Sequence, residues 1–175
     1  MREKDRLIEG NKNYVASIKN YETKPKLAKD LISHQSPYAL VITCSDSRVI
    51  PEEIFSCSLG ELFVIRTAGN SVNEGELASI EYGIEHLNIK YVLVLGHTHC
   101  GAVHAAMHNE KGRFLDPVLD KIHAAINCLE DEVEASKANA LFQANYIKSL
   151  FPEFDGKIES ALYDIETNEV IFIEN

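Results

Sequence analysis

Two short, unbroken apolar runs, Tyr38-Ala39-Leu40-Val41-Ile42-Thr43 and Tyr91-Val92-Leu93-Val94-Leu95, do most to limit what this chain can fold into. They are rich in β-branched residues and show no polar alternation, which is the pattern of strands buried on both faces of a parallel sheet. Polar residues of an unusual kind follow each run: Cys44-Ser45-Asp46-Ser47-Arg48 after the first, and Gly96-His97-Thr98-His99-Cys100-Gly101 after the second. In open α/β sheets ligands gather at the carboxyl ends of the strands, so two stretches far apart in sequence can converge there.

Cys44, His97 and Cys100 then form a candidate metal site. Two thiolates and one imidazole suit Zn²⁺, and three protein ligands leave its fourth tetrahedral position open to water. His97 and Cys100 are three apart, on one side of a turn leading into a helix. The dipole and free N–H groups at a helix start favour a thiolate at Cys100. A His-x-x-Cys pair alone is a weak signal, and a buried free cysteine is commonly a small core residue. The pair becomes specific when joined to a second cysteine followed by Asp-x-Arg. A carboxylate at Asp46 can accept a hydrogen bond from water on the metal, and a guanidinium at Arg48 can hold that carboxylate ionised and in place. Cys57 and Cys128 lack any partner pattern and read as incidental thiols.

The remainder alternates in the manner of an α/β fold. Leu7, Ile8, Tyr14, Val15 and Ile18 make an amphipathic stripe over residues 5–20, suited to a helix or to docking on a partner subunit. Leu62-Phe63-Val64-Ile65 reads as a strand, followed by a helix through Leu77, Ile80, Ile84 and Leu87. Residues 102–152 read as mostly helical, with Gly112 and Pro117 marking a break and Glu130-Asp131-Glu132 a solvated face. Residues 157–163 and 170–173 read as a hairpin. The 175 residues suffice for one domain with a full core. A net charge of −10 argues against nucleic-acid or anionic membrane partners. Met1-Arg2-Glu3-Lys4-Asp5-Arg6 lacks the apolar run of a signal peptide, so a cytoplasmic location with reduced cysteines is expected.

The chain resembles the β-class carbonic anhydrases, over a match from about Leu7 to the C-terminus. The resemblance is carried by Cys44-Ser45-Asp46-Ser47-Arg48-Val49, Gly60-Glu61-Leu62-Phe63-Val64-Ile65-Arg66, Ala68-Gly69-Asn70 and Ser79-Ile80-Glu81-Tyr82. It continues through Gly96-His97-Thr98-His99-Cys100-Gly101-Ala102 and Ala161-Leu162-Tyr163-Asp164-Ile165. It implies a single α/β domain over residues 1–175, Rossmann-like, with a mostly parallel central sheet flanked by helices. An antiparallel C-terminal edge and an extended N-terminal helix belong to the same expectation.

The resemblance further implies one Zn²⁺ per subunit on Cys44, His97 and Cys100, with Asp46 and Arg48 as the catalytic dyad. The implied reaction is reversible hydration of CO₂ to bicarbonate and a proton, by attack of zinc-bound hydroxide. Gln35, Phe63, Tyr82 and the backbone of Gly101 are implied in substrate binding, as in the plant-like, open-site subgroup, and His86 as a proton shuttle. In part of the family the aspartate matching Asp46 closes the site as a fourth ligand. Members regulated this way by a bicarbonate site carry tryptophan where this chain has Val41, although Arg66 and Tyr163 match other residues of that site. The expected assembly is a homodimer or a dimer of dimers. Two alternatives remain at this point: a carbonyl sulfide or carbon disulfide hydrolase using the same site, and a non-catalytic zinc-binding homologue.

Overall fold

A computed structural model describes residues 31–55 and 57–174. The amphipathic helix expected over residues 5–20 lies outside the described residues. Residues 31–35 belong to an N-terminal unit, residues 1–35, separate from the compact unit that begins at Ser36.

Five strands form one sheet: β1 (Ala39–Cys44), β2 (Leu62–Thr67), β3 (Tyr91–His97), β4 (Lys157–Tyr163) and β5 (Val170–Ile173), in the order β2-β1-β3-β4-β5. The first four are mutually parallel, and β5 returns antiparallel to β4. Both apolar runs are strands, and both are central in the sheet. Each extends further than the apolar residues alone suggest, so that Cys44 and His97 are the last residues of β1 and β3. Leu40 pairs with Val92 and Thr43 with Leu95, a register that brings the two strand ends level.

Because side chains alternate along a strand, the two faces of the sheet bury different sets. On one face Leu40, Ile42, Val92 and Val94 pack with Ile80 of α2 (Glu74–Glu81) and with Ala140, Ala144 and Ile147 of α5 (Glu132–Leu150). The other face buries Val41, Leu93, Leu95 and Ala161 beneath Val49 and beside Ile54 of the one-turn helix α1 (Pro51–Ile54). A third cluster caps the carboxyl ends of β1 and β3. It joins Cys44 and Cys100 to Val103 of α3 (Gly101–Met107), Leu119, Ile122 and Ile126 of α4 (Asp116–Ile126), and Ala135 of α5. Full burial of each large aliphatic side chain contributes roughly 1.5–3 kcal/mol.

Two expectations about the helices are corrected. The segment through Leu87 is not one α-helix: α2 stops at Glu81 and continues as a π-turn over Tyr82–His86, where the Leu87 N–H reaches back to the Tyr82 carbonyl at 3.2 Å. Pro117 does not mark a break. It sits in the first turn of α4, where a missing N–H leaves no bond unmade, and Gly112 lies in the loop before it. Of the acidic run 130–132, Glu130 and Asp131 are exposed and Glu132 is half-buried, and Asp131 caps α5 by accepting the Glu134 N–H at 2.9 Å. No described helix is long and apolar enough to cross a membrane.

Helix α5 reaches the sheet at Gly96, immediately before His97. A Cβ there would stand 3.2 Å from both the Ala140 Cβ and the Ser136 carbonyl oxygen. Gly96→Val is therefore expected to lower stability by about 1–3 kcal/mol through overpacking, read as a lower urea midpoint. An unchanged midpoint would show that α5 does not depend on this close approach.

Candidate metal centre

Cys44, His97 and Cys100 come together at the carboxyl edge of the sheet. Their ligand atoms all lie within 4.8 Å of one another, and all three residues are buried. Strand β1 delivers Cys44 and β3 delivers His97, and the Thr43 hydroxyl ties the two ends by donating to the Leu95 carbonyl at 2.8 Å. Cys100 is the residue that caps α3. The chain reaches it through His99, which adopts a left-handed φ of 56°, a conformation uncommon outside glycine and asparagine.

The His97 ring has a defined tautomer. Its Nδ1 lies 2.8 Å from the Thr98 carbonyl oxygen, which can only accept, so Nδ1 carries the proton and Nε2 a lone pair. That Nε2 is fully buried and has no hydrogen-bond partner. A buried polar atom left unpaired costs about 1–3 kcal/mol, and a cation between Nε2 and the two sulfurs removes that cost. Two sulfurs, one aromatic nitrogen and their mutual spacing fit Zn²⁺, and the orphaned Nε2 is the observation that calls for it.

Without metal the two thiols share a proton unequally. The Cys44 and Cys100 sulfurs are 4.0 Å apart. A hydrogen bond from the Cys100 thiol, assisted by the neighbouring His97 ring and then by the backbone at Asp46 and Gly69, brings the Cys44 thiol down to about 4 against the opposing effect of burial. Cys100 is raised because it donates that bond and because it is buried, an effect only partly offset by the N–H groups of Val103 and Ala102.

Asp46 and Arg48 form a clamped pair beside the cluster. Asp46 Oδ1 accepts from the Arg48 backbone N–H at 2.9 Å and from Nε at 3.0 Å, while Oδ2 accepts from Nη2 at 2.8 Å. These bonds hold the Asp46 carboxyl well below the usual carboxylate range. Arg48 Nη2 also donates to the His99 carbonyl at 3.1 Å, joining the loop after β1 to the segment between His97 and Cys100. With its carboxylate on Arg48, Asp46 is not a member of the donor cluster.

The other expected site residues fall into separate places. Phe63 and Tyr82 have ring centroids 6.2 Å apart, and Tyr82 stacks on His86 at 5.3 Å. Among the described residues no hydrogen bond or ring contact joins these three to the sulfur cluster. Phe63 packs against the core, whereas Tyr82 is 45% exposed. Gly101 opens α3 with open space where a Cβ would stand. Gln35 is exposed and belongs to the N-terminal unit.

Arg66 and Tyr163, matched in the sequence only to a bicarbonate site, make contacts of another kind here, and two amides, Asn139 and Gln143, escaped sequence reasoning altogether. Arg66 donates through Nε to the Cys44 carbonyl at 3.1 Å and through Nη2 to the Asp46 carbonyl at 2.6 Å, so it holds the backbone that carries the ligand and the dyad. The Tyr163 hydroxyl donates to Asn168 Oδ1 at 2.9 Å. Asn139 and Gln143 are buried amides on α5, bonded to the Gly69 carbonyl and the Val72 N–H. Their signal was present as two amides at i, i+4 on a helix face whose other buried residues are Ala135, Ser136, Ala140, Ala144 and Ile147.

Similar proteins point one way. A family model described as carbonic anhydrase matches residues 39–150. A carbonic anhydrase of Synechococcus elongatus is 47% identical over 104 residues, which are 56% of this chain and 38% of the relative. One from Emericella nidulans is 37% identical over 153 residues, 83% of this chain and 66% of the relative. The chain thus spans less than two thirds of the length of these curated relatives. Among solved structures, a tetrameric β-carbonic anhydrase of the ascomycete Sordaria macrospora superposes with a TM-score of 0.86 over 99% of this chain and 98% of that one. At 22% identity this shows the shared fold.

Metal binding must deprotonate whatever thiol remains protonated. At neutral pH Cys44 is already ionised, being lowered to about 4, and the raised Cys100 is not. Zinc titrated into metal-free protein is therefore expected to release about one proton from this thiol pair rather than two. Calorimetry in buffers of different ionisation enthalpy, with Cys100→Ser for comparison, reads that count; release of two from the pair would show that both thiols are protonated beforehand.

Proposed function

The chain belongs to the β-class carbonic anhydrases, and from that premise we propose that it catalyses the zinc-dependent, reversible hydration of CO₂ to bicarbonate and a proton. The observation that carries the reading is the Cys44–His97–Cys100 cluster with its orphaned, buried Nε2, set beside an ionised Asp46 clamped by Arg48. Zinc bound by Cys44, His97 and Cys100 supplies the Lewis acidity that brings water deprotonation near neutral pH, which hydration of CO₂ requires.

The chain's own residues do the remainder. Asp46, kept ionised by Arg48, accepts a hydrogen bond from the reacting water and aims its lone pair. Arg48 positions Asp46 and, through the His99 carbonyl, fixes it relative to both ends of the His97–Cys100 segment. At the start of α3 Gly101, which has open space where a Cβ would stand, offers its N–H to the oxygens of bicarbonate. Phe63 and Tyr82 provide an apolar aromatic wall suited to an uncharged substrate, and Gln35 an amide for the anionic product. His86, stacked on Tyr82, carries the released proton away at neutral pH. Because Asp46 is held by Arg48, the open, plant-like arrangement with three protein ligands is the working state.

We take residues 1–175 as a single zinc-binding carbonic anhydrase domain of a cytoplasmic protein. It acts as a homodimer or dimer of dimers, in keeping with the tetrameric Sordaria relative. The half-exposed Tyr82 is compatible with a pocket completed by a second subunit.

Stopped-flow CO₂ hydration across the neutral pH range, on protein of measured zinc content, tests the proposal. Wild-type protein is expected to be active near neutrality, and Asp46→Ala to retain zinc while losing about 10²-fold or more in rate. Fully loaded protein that hydrates no CO₂ but releases H₂S from carbonyl sulfide would overturn the substrate. A fully active Asp46→Ala would overturn the role of the dyad.

A further inference from the structure

Between the candidate ligands His97 and Cys100 the backbone makes a turn that most side chains disfavour. His99 has a left-handed φ of 56°. Glycine enters that region freely, asparagine, aspartate and histidine tolerate it, and β-branched residues avoid it. Such a conformation persists only where its surroundings over-determine it, and it clusters at functional sites.

The residues on either side supply that constraint. Thr98 is buried, and its N–H donates to the Tyr163 carbonyl at 3.0 Å, which continues the pairing of β3 with β4 one residue past His97. Its hydroxyl accepts the Ile165 N–H at 3.0 Å and donates to Asp164 Oδ1 at 3.4 Å, so the turn between β4 and β5 holds it by two further bonds. On the other side Cys100 is buried and caps α3. The His99 ring donates through Nε2 to Glu166 Oε1 at 3.0 Å, but that pair is exposed and too open to solvent to fix the backbone by itself.

The turn sets the direction of one carbonyl. The His99 carbonyl oxygen accepts Arg48 Nη2 at 3.1 Å, and the same nitrogen donates to Asp46 Oδ2 at 2.8 Å. Arg48 is half-exposed and lies two residues from Asp46 on one loop, so the bonds between them fix the pair internally and not against the rest of the site. Among the described residues, the His99 carbonyl is the one hydrogen-bond partner of Arg48 outside that loop. We propose that His99 is a positioning residue for the Asp46–Arg48 dyad and that it acts through its backbone: the left-handed turn aims its carbonyl at Arg48 Nη2 and ties the dyad to the segment bearing His97 and Cys100. The inference rests on the reading of Asp46 and Arg48 as the dyad that orients the reacting water. It makes position 99 selective for backbone geometry instead of imidazole chemistry. Glycine or asparagine there keeps the contact, and valine, for which the region is an outlier, removes it.

The test uses the full chain, loaded with zinc and isotopically labelled for NMR. A scalar coupling across the hydrogen bond, from Arg48 Nη2 to the His99 carbonyl carbon, reads the contact directly, and stopped-flow CO₂ hydration per bound zinc reads its effect. Wild-type protein and the conservative variants His99→Gly and His99→Asn are expected to show the coupling and to agree in kcat/KM within about twofold. His99→Val is expected to bind zinc but to lose the coupling and about tenfold in kcat/KM. His99→Ala, a milder change of the same kind, is read in its place where His99→Val does not fold. A folded His99→Val that keeps the coupling, or loses it at full rate, overturns the proposal, as does wild-type protein without the coupling. Equal loss of rate in His99→Gly and His99→Val would assign the effect to the imidazole and overturn it too. Zinc-loaded wild-type protein that shows the coupling but hydrates no CO₂ would overturn the proposed function, and the role given to His99 with it.

Discussion

Parallel pairing of β1 with β3 is the constraint on which the rest of this protein depends. It sets Thr43 opposite Leu95, so that Cys44, the next residue of β1, and His97, one residue further along β3, end their strands at the same edge. Parallel strands cannot be joined by a tight turn, and the crossover between them has to be long. The chain uses that crossover to add β2 at the edge, and with it the Gly69 turn and Arg66, which returns to the Cys44 carbonyl. Covering both faces of such a sheet buries the strands almost completely. The ligands therefore emerge from a stiff base, and cooperative packing of that base holds their separation.

Charge at this edge is arranged around the metal ligands and the dyad. The thiol pair concentrates negative charge on Cys44, while Arg48 and Arg66 bring guanidinium groups to Asp46 from either side of its backbone. Arg48 binds the carboxylate in bidentate fashion, the geometry in which Arg and carboxylate match best. Arg66 binds only carbonyl oxygens, of Cys44 and Asp46, and leaves the carboxylate to Arg48. One arginine therefore governs the reactive side chain and the other governs the loop that presents it. Asp46 has its full charge at neutral pH and is held in one direction.

The strands and the three side chains of the candidate metal cluster were legible in the sequence because each rests on a local signal. Unbroken apolar runs mark strands buried on both faces, and sulfur and imidazole directly after them mark a site at the strand ends. The hairpin of β4 and β5 was legible for the same reason. What could not be read depends on distance in space. Pro117 begins a helix or ends one according to where the preceding turn leaves the chain, and the π-turn at Tyr82–His86 inserts a residue that no periodicity announces. Arg66 lies at an ordinary position in a strand, and only folding brings it to the Cys44 and Asp46 carbonyls. Asn139 and Gln143 look like polar residues of a solvated helix face until the helix is laid on the sheet.

The buried polar groups also bear on how the fold and the site depend on each other. A core of aliphatic side chains tolerates substitution of similar volume, because its attraction is non-directional. The region at the carboxyl ends of β1 and β3 is different in kind. Its packing cluster includes Cys44 and Cys100, its nearest turn is held by amides, and the His97 Nε2 lies buried without a partner. Each of these groups is stable in the interior only when its directional partner is present, and for Nε2 a cation on the Cys44–His97–Cys100 cluster would be that partner. A cation bound at this edge would therefore add to the folding free energy, on top of what the sheet and its aliphatic layers supply.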